Sequence, residues 1–275
     1  MSIDGVVAAD PRISVFDRGF LFGDSVYEVM RTVRGLPLFW EEHADRLWRS
    51  AELVKLPLGV DRETLRAETD RTLAAAEGDE HYIRIVVTRG AGGLGLELSE
   101  MTPCRVIIVA PLPAGVESLR TSGCALRTVR TGRSDEGGVS PQAKSGNKLA
   151  AVLALDEVRR QGADEALLVD PLGRVLEGAS STFFCVVDGV VLTPSIEVGI
   201  LPGITRAKVI ELAAGLGLTV RETALHTRDL DAADEAFITS SVRGLVGVRG
   251  LDDRQLDGVG PVTQTLQAAY EGFLR

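Results

Sequence analysis

Short β-rich runs alternate with amphipathic helical stretches along both halves of the chain, and this alternation limits the fold more than any other feature. Residues 26–33 alternate in hydrophobicity as a half-buried strand does, and an Arg-Gly pair closes them with a turn signal. Residues 41–56 then repeat apolar side chains at helical spacing. In the second half, Asp188-Gly189 separates two β-rich runs and predicts a tight hairpin. Hairpins mixed with helices predict an α+β fold rather than a doubly wound parallel sheet.

The length of the chain and one glycine- and proline-bounded stretch predict its division into domains. A chain of 275 residues corresponds to about two domains. The stretch 112–123 has prolines and glycines near its ends, which is typical of a linker. We therefore expect a smaller N-terminal α/β domain over residues 1–114, a linker over 115–122 and a larger C-terminal domain over 123–275.

Charge and cysteine content argue against several classes of function. The formal net charge is −9 and the isoelectric point is about 5.0, whereas nucleic acids and anionic membrane surfaces favour basic proteins. The apolar runs are far shorter than the roughly 18 residues of a spanning helix, and the first twelve residues lack the basic and apolar regions of a secretion signal. The three cysteines form no CxxC pair, so we expect reduced thiols, a cytoplasmic protein and no metal centre.

The glycine-rich segment at residues 90–95, GAGGLG, matches the GxGxxG pattern of dinucleotide-binding folds. That function requires a helix that opens at the loop, yet Pro103 follows too soon for a crossover helix. A loop between two antiparallel strands is therefore the better interpretation.

Lysine is rare in this chain, and one of the four lysines stands where an amine could react. Lys144 lies in a polar stretch that enters a predicted helix near Asn147. A lysine at such a junction can project into a cavity, where desolvation favours the neutral amine that attacks a carbonyl. A solvated loop lysine is the plainer alternative.

Four further parts of the chain carry groups that would complement a phosphorylated pyridine. Glu177, between two predicted strands, can face a ring nitrogen and keep it protonated. Residues 203–205 open an amphipathic helix, whose free N–H groups favour a phosphate. The hydroxyls of residues 239–241 and the guanidinium of Arg46 are additional phosphate partners. Each segment alone also fits an ordinary turn or helix cap, but together with the amine of Lys144 they describe one ligand, pyridoxal 5′-phosphate.

The order of motifs along nearly the whole chain resembles the class IV (fold type IV) pyridoxal-phosphate enzymes. This family includes branched-chain aminotransferases, D-amino-acid aminotransferases and aminodeoxychorismate lyases. The motifs are DRGFLFGDSVYEVMR, EHADRL, YIRIVVTRG, KSGN, DEALLVD, EGASSTFF, LPGITR, ADEAFITSS and GPVTQTLQAAY. The resemblance implies a two-domain α+β fold, with the cofactor at the domain junction and a larger C-terminal domain that binds it. It also implies a homodimer.

The resemblance assigns roles to individual residues that hold the cofactor. It implies that Lys144 binds pyridoxal phosphate as a Schiff base and then moves the substrate proton, and that Glu177 pairs with the pyridine nitrogen. The other positions that match cofactor contacts are Arg46, Ser180, Leu201, Gly203, Ile204, Thr205 and Ser241.

Two residues match substrate-facing positions. Tyr27 corresponds to an aromatic position that faces the substrate, and Arg84 in the YIR motif offers a cation for a substrate carboxylate. The alternatives for this carboxylate contact are Arg31, Arg89 and Arg243.

The leading hypothesis is an aminotransferase that moves an amino group between an amino acid and a 2-oxo acid. The subfamily motifs conflict, because Lys144 lies three residues before Asn147 as in the D-amino-acid and lyase branches, whereas residues 82–84 match the branched-chain YIR motif. 4-Amino-4-deoxychorismate lyase, which releases pyruvate and gives 4-aminobenzoate, is therefore the alternative. A cofactor-free binding protein on the same scaffold is a third interpretation, and the substrate and its handedness stay open.

Overall fold

The computed structural model describes residues 1–98, 100–132 and 138–275. Helices and two sheets occur along these ranges, so the predicted α+β class is confirmed. Within the described ranges, no helix is both long and apolar enough to span a lipid bilayer.

The chain divides into two compact units. One short segment belongs to the first unit, although the residues before and after it in the sequence belong to the second. The first unit comprises Met1–Pro113 and Ala143–Asn147, and the second comprises Ala114–Gln142 and Lys148–Arg275. The sequence analysis places residues 143–147 in the C-terminal domain, and the structure differs there for a clear reason. The backbone N–H of Gly146 donates to the carbonyl of Ser25 at 2.9 Å, and that of Tyr27 donates to the carbonyl of Lys144 at 2.9 Å.

The first unit is built on a six-stranded sheet whose neighbouring strands are all antiparallel, in the order β2-β1-β6-β5-β3-β4. Its strands are β1 (Ser2–Ile3), β2 (Val6–Val7), β3 (Ser25–Val33), β4 (Leu36–Pro37), β5 (His81–Thr88) and β6 (Cys104–Pro111). Its helices are α1 (Arg18–Phe22), α2 (Trp40–Leu53) and α3 (Arg62–Ala74).

Alternation along β3 separates the core of the first unit from the opposite face of the sheet. Val26 and Met30 are buried in one apolar cluster with Leu47 of α2 and Ile85 of β5. Because successive side chains of a strand point to opposite faces, Tyr27 lies on the other face of the sheet. The predicted helix over residues 41–56 is α2, and its apolar stripe faces the core.

The glycine-rich segment lies between β5 and β6. These strands are antiparallel, with His81 opposite Pro111 and Thr88 opposite Cys104. The described residues between them contain no helix, so the prediction of a loop between antiparallel strands is confirmed and the dinucleotide-binding pattern is coincidental.

Within the linker expected over residues 115–122, Val116–Ser122 forms a helix, α4. Gly115 and Gly123 stand at its two ends with φ of 82° and 71°, values that favour glycine. Leu119 of this helix packs against the core of the second unit. The two glycines near the ends of the expected linker therefore stand at the ends of a two-turn helix.

The second unit is built on a mixed sheet in the order β12-β11-β10-β13-β14-β7-β8-β9, with β15 paired to β14. Its strands are β7 (Cys124–Arg130), β8 (Glu165–Val169), β9 (Val175–Gly178), β10 (Thr182–Val187), β11 (Val190–Pro194), β12 (Val220–Thr223), β13 (Glu235–Ser240), β14 (Gly244–Leu251) and β15 (Arg254–Gly258). Besides α4, its helices are α5 (Leu149–Arg160), α6 (Ile204–Gly215) and α7 (Pro261–Tyr270), and short 3-10 helices cover Ile196–Val198, Thr227–Ala232 and Glu271–Leu274.

The hairpin predicted at Asp188-Gly189 joins β10 to β11. Val187 pairs with Val190 across it, and both turn residues have positive φ, 49° for Asp188 and 75° for Gly189. Two positive φ values define the tight turn whose twist matches that of an antiparallel hairpin. The hairpin prediction is confirmed.

Candidate active site

Lys144 is held in the first unit by main-chain contacts on both sides. Its N–H donates to Ser50 Oγ of α2 at 3.0 Å, and its carbonyl accepts from the N–H of Tyr27 in β3 at 2.9 Å. Gly146 allows this close approach, because a Cβ there would lie 2.2 Å from Ser25 Oγ. The Lys144 side chain extends over Tyr27, with Nζ 4.8 Å from the centre of the ring.

Arg84 lies against the same tyrosine. Its guanidinium carbon is 4.2 Å from the centre of the Tyr27 ring, a distance typical of a cation–π contact. Burial raises the pKa of Tyr27 to about 12, against the lowering effect of Arg84. The Tyr27 hydroxyl therefore keeps its proton at neutral pH and can donate a hydrogen bond. The first unit thus places the amine of Lys144, the hydroxyl of Tyr27 and the cation of Arg84 together.

A buried group of charged side chains occupies the opposite face of β3, and we call Glu28, His43 and Arg46 the Glu28 network. The Glu28 carboxylate accepts from Arg46 Nε and Nη2, both at 2.8 Å, and from His43 Nδ1 at 2.7 Å. Burial alone would raise the pKa of Glu28, but Arg46 and His43 outweigh it and hold that pKa well below its usual range. Burial lowers the pKa of His43 despite the neighbouring carboxylate.

The sequence analysis identified Arg46 as a phosphate partner but missed its neighbours Glu28 and His43. A signal for them was present, because alternation places Glu28 on the apolar face of β3 with Val26 and Met30. His43 and Arg46 are three residues apart on the buried face of α2. A carboxylate on an apolar face requires partners, and these two residues are the nearest helical candidates.

The alternatives to Arg84 have different surroundings. Arg89 donates to Asp24 at 2.8 Å and to the carbonyls of Lys55 and Val54 at 2.8 and 3.1 Å, which fixes the end of β5. Arg243 in the second unit donates to Glu165 at 2.7 Å. Arg31 is buried and donates to the carbonyl of Thr32 at 3.3 Å.

In the second unit, Glu177 lies in β9 and is half-buried. Its Oε2 accepts a hydrogen bond from the N–H of Leu201 at 3.2 Å, so the structure brings together two of the predicted cofactor residues. Ser180 follows β9, and its hydroxyl donates to Glu165 at 2.7 Å. Arg243 binds the same oxygen of Glu165 and also donates to Ser180 Oγ at 2.9 Å. Glu165 and Arg243 thus fix the Ser180 hydroxyl, a role that the sequence analysis did not assign.

The start of α6 is surrounded by buried hydroxyl groups. Gly203 caps the helix without a side-chain hydrogen bond, and a Cβ on it would lie 2.8 Å from Thr182 Oγ1. Thr182 pairs with Thr239 across β10 and β13. The hydroxyls of Thr205 and Thr239, which we call the hydroxyl cluster, are buried and have no hydrogen-bond partner among the described residues. The Ser181 hydroxyl is also buried without a partner there, but it lies beside Gly178, on which a Cβ would be 2.1 Å from it.

This arrangement favours an anion at the start of α6. The helix supplies free N–H groups and the positive end of its dipole. The hydroxyl cluster supplies donors whose burial without a partner is costly. Ile204 and Thr205 form the first turn, and Ser241 lies in the turn between β13 and β14. A phosphate group would fit these donors.

The chain matches a known protein family over most of its length. The family model described as Amino-transferase class IV matches residues 25–251. A relative from Methanocaldococcus jannaschii, provisionally assigned as a branched-chain-amino-acid aminotransferase, is 37% identical over 95% of this chain and 91% of its own. The structure of the Escherichia coli branched-chain amino acid aminotransferase has a TM-score of 0.90 at 29% identity, covering 98% of this chain and 92% of that chain. A hypothetical aminotransferase from Mycobacterium tuberculosis in its PLP-bound form has a TM-score of 0.86 at 28% identity, covering 97% and 96%.

The chain therefore belongs to the class IV aminotransferase family, with the fold of the type IV pyridoxal-phosphate enzymes. Within that class it is a pyridoxal-phosphate-dependent aminotransferase, as the sequence motifs predicted. Its substrates are an amino acid and a 2-oxo acid.

The residues of this chain fit the cofactor. Pyridoxal phosphate needs an amine for its aldehyde, an acid for its ring nitrogen and donors for its phosphate. Lys144 carries an amine and Glu177 an acid, so these side chains have the chemistry that the first two groups require. The hydroxyl cluster, with its unpartnered donors at a helix start, has the chemistry that a phosphate requires.

Proposed function

We propose that this aminotransferase takes the amino group of a branched-chain amino acid and passes it to a 2-oxo acid. The observation that carries the proposal is the grouping of Lys144 and Arg84 on one aromatic ring, that of Tyr27. It places an amine and a cation of the first unit against the same ring, with Lys144 Nζ 4.8 Å and the Arg84 guanidinium carbon 4.2 Å from its centre. The names of relatives that match over most of the chain support the branched-chain class.

In this proposal the first unit supplies the groups that act on the substrate. Arg84 binds the α-carboxylate by a charge-assisted hydrogen bond. The Tyr27 hydroxyl keeps its proton at neutral pH, as burial raises its pKa further above neutrality, to about 12, and it donates a second hydrogen bond. Lys144 Nζ takes the proton from the substrate Cα and returns it in the reverse half of the reaction.

The second unit supplies most of the groups that hold the cofactor. Glu177 faces the ring nitrogen, and Ser180 and Leu201 line the ring. The phosphate contacts are the N–H groups of residues 203–205 and the Thr205 and Ser241 hydroxyls. When bound, pyridoxal phosphate withdraws electrons from the substrate Cα and so makes its proton easier to remove.

We also propose that the enzyme is a cytoplasmic homodimer. Support for the dimer comes from Val15, Phe16 and Phe20, which expose 67%, 52% and 68% of their surface within six residues, since exposed apolar groups mark interaction sites. All three cysteines are free thiols, which suits a reducing compartment. Light scattering of the wild-type protein and of a Phe16→Ser/Phe20→Ser variant tests the dimer, and a monomeric wild type would contradict it.

The 4-amino-4-deoxychorismate lyase alternative has less support, because the relatives named above are aminotransferases. A half-reaction separates the two activities. Leucine, isoleucine or valine alone should bleach the visible absorbance of the bound cofactor, and 2-oxoglutarate should then restore it. The transferase proposal fails if no amino acid bleaches this band while aminodeoxychorismate yields pyruvate without a 2-oxo acid. The substrate proposal fails if the only amino acids that bleach the band, whether L or D, are ones without a branched chain.

A further inference from the structure

Ser50 on α2 is a buried hydroxyl whose hydrogen bond leaves its own helix. The residue is 1% exposed. A buried serine or threonine inside a helix commonly donates to the carbonyl four residues earlier, as Thr69 of α3 does to Leu65 at 2.8 Å. Ser50 Oγ instead accepts from the N–H of Lys144 at 3.0 Å. Within the described ranges this is the one hydrogen bond of that hydroxyl, so the Ser50 side chain is directed at the segment that carries Lys144.

Lys144 lies in a segment without regular secondary structure, so individual hydrogen bonds fix its backbone. Residues 143–147 belong to no helix or strand of the structure. The Lys144 carbonyl accepts from the N–H of Tyr27 in β3 at 2.9 Å. Together with the bond to Ser50, this contact fixes the peptide groups on both sides of the Lys144 Cα. The two bonds therefore set the direction in which the lysine side chain leaves the backbone.

The helix that carries Ser50 is itself anchored to β3. His43, Arg46 and Ser50 follow one another at about one-turn intervals on the buried face of α2. The first two of them bind Glu28 of β3 at 2.7 to 2.8 Å. The helix α2, the strand β3 and the Lys144 segment thus form a closed frame, in which each element is hydrogen-bonded to the other two. Loss of the Ser50 hydroxyl would open this frame on the side of α2.

We propose that Ser50 is a positioning residue for the amine of Lys144. Its hydroxyl holds the main chain of Lys144, which keeps Nζ over the Tyr27 ring, 4.8 Å from the ring centre. The proposal rests on the function proposed above, in which Lys144 moves the substrate proton. Such a transfer requires close alignment, and a misplacement of about 1 Å can cost roughly 100-fold in rate. Arg84, which binds the substrate carboxylate in that function, lies on a different strand, β5, so Ser50 should affect kcat rather than KM.

The test compares the steady-state kinetics of the wild-type holoenzyme with those of its Ser50 variants. Ser50→Ala removes the acceptor and should lower kcat by about 10- to 100-fold, while both KM values stay within about twofold. Ser50→Thr keeps the hydroxyl and should restore kcat to within about threefold of the wild type. Ser2→Ala is the matched control, since Ser2 is also fully buried in the first unit and its Oγ lies 2.8 Å from Thr72 Oγ1 of α3. It makes the same chemical change on a hydroxyl that is bonded to α3, and kcat should not change.

Two further measurements separate positioning from a purely structural role. When cofactor-free protein is mixed with pyridoxal phosphate, the visible absorbance should appear about tenfold more slowly in Ser50→Ala than in the wild type, because Nζ is misplaced. In a Lys144→Ala background, Ser50→Ala should cause no further loss of single-turnover rate, since the amine through which it acts is already absent.

The outcomes distinguish this proposal from the one on which it rests. A normal kcat in Ser50→Ala, or a further loss of rate in the Lys144→Ala background, overturns the role of Ser50. Full turnover in Lys144→Ala alone would instead contradict the proposed function. Ser50→Cys fills the same space with a weak acceptor, and it should show the same loss of kcat if Ser50→Ala does not fold.

Discussion

A buried carboxylate of the first unit and two buried hydroxyls of the second unit have opposite surroundings. In the first unit, the Glu28 network satisfies a buried carboxylate with three hydrogen bonds of 2.7 to 2.8 Å from protein side chains. In the second unit, the hydroxyl cluster is buried beside a helix start without partners among the described residues. The Glu28 carboxylate has its partners in the protein alone, whereas the hydroxyl cluster would gain a partner from a bound phosphate.

Because of this difference, we expect the two groups to contribute to different properties, one to folding stability and the other to cofactor binding. Removing one partner of a buried charge pair lowers the free energy of unfolding, because the other charge stays buried without a partner. A buried hydroxyl without a partner costs about 1–3 kcal/mol in the free protein, and a phosphate removes that cost. We therefore expect substitutions in the Glu28 network to affect mainly folding, and substitutions in the hydroxyl cluster to affect mainly cofactor affinity.

The largest expected effect follows from Lys144→Ala. Loss of the amine removes the nucleophile and the proton carrier together, so kcat should fall by roughly four orders of magnitude or more. The phosphate donors of the second unit are untouched, so pyridoxal phosphate should still bind without a covalent link. Single-turnover kinetics and equilibrium dialysis measure the two quantities. Lys148→Ala is the control and should be mild; if it abolished turnover while Lys144→Ala did not, the reactive lysine would be misassigned.

The next largest effect concerns folding, through Glu28→Gln. The substitution leaves the Arg46 guanidinium buried without its carboxylate, which should lower the free energy of unfolding by about 3–5 kcal/mol. Urea denaturation measures this loss. Glu52→Gln, an exposed position of α2, is the control and should change stability by less than about 0.5 kcal/mol. Equal stability of the two variants would contradict the role given to the Glu28 network.

The same network predicts how stability changes with pH. The pKa of Glu28 is lowered from 4.5 in the folded protein, so its contribution is present above about pH 4.5 and is lost as the pH falls. The pKa of His43 is lowered from 6.5, so the unfolded chain takes up that proton first and stability declines as the pH falls below about 6.5. Both groups thus destabilise the fold in acid. In Glu28→Gln the decline below about pH 4.5 should be shallower than in the wild type.

A smaller effect is expected from Arg84→Ala. Loss of a charge-assisted hydrogen bond to the substrate carboxylate should cost about 1.5–3 kcal/mol, which is roughly 10- to 150-fold in KM for both the amino acid and the 2-oxo acid. Steady-state kinetics with each substrate varied in turn measures it. Arg127→Ala, at a surface ion pair of the second unit, should leave both KM values unchanged. If the KM values of Arg84→Ala were unchanged, another cation would have to bind the substrate carboxylate.

Features with a local cause could be predicted from the sequence, and features that arise from distant packing could not. The Asp188-Gly189 hairpin follows from two adjacent residues that tolerate positive φ. The Glu28 network depends on the packing of α2 against β3, which no short sequence window encodes. The helix within residues 115–122 could not be predicted from local sequence. Glycines such as Gly115 and Gly123 occur both beside linkers and at the ends of helices.

The smallest effect tests the opposite behaviour of the hydroxyl cluster, through Thr205→Val. The change keeps the shape and the β-branch but removes a buried hydroxyl that has no partner, so the free energy of unfolding of the cofactor-free protein should rise by about 1 kcal/mol. The affinity for pyridoxal phosphate should fall by about 0.5–1.5 kcal/mol, or roughly 2- to 12-fold, because one phosphate donor is lost. Thr263→Val is a close control, since Thr263 is also buried, also β-branched and also has an unpartnered hydroxyl, but on α7. It should raise stability without changing cofactor affinity. If Thr205→Val lowered both quantities, its hydroxyl would be a structural group like those of the Glu28 network, and the contrast between the units would not hold at this position.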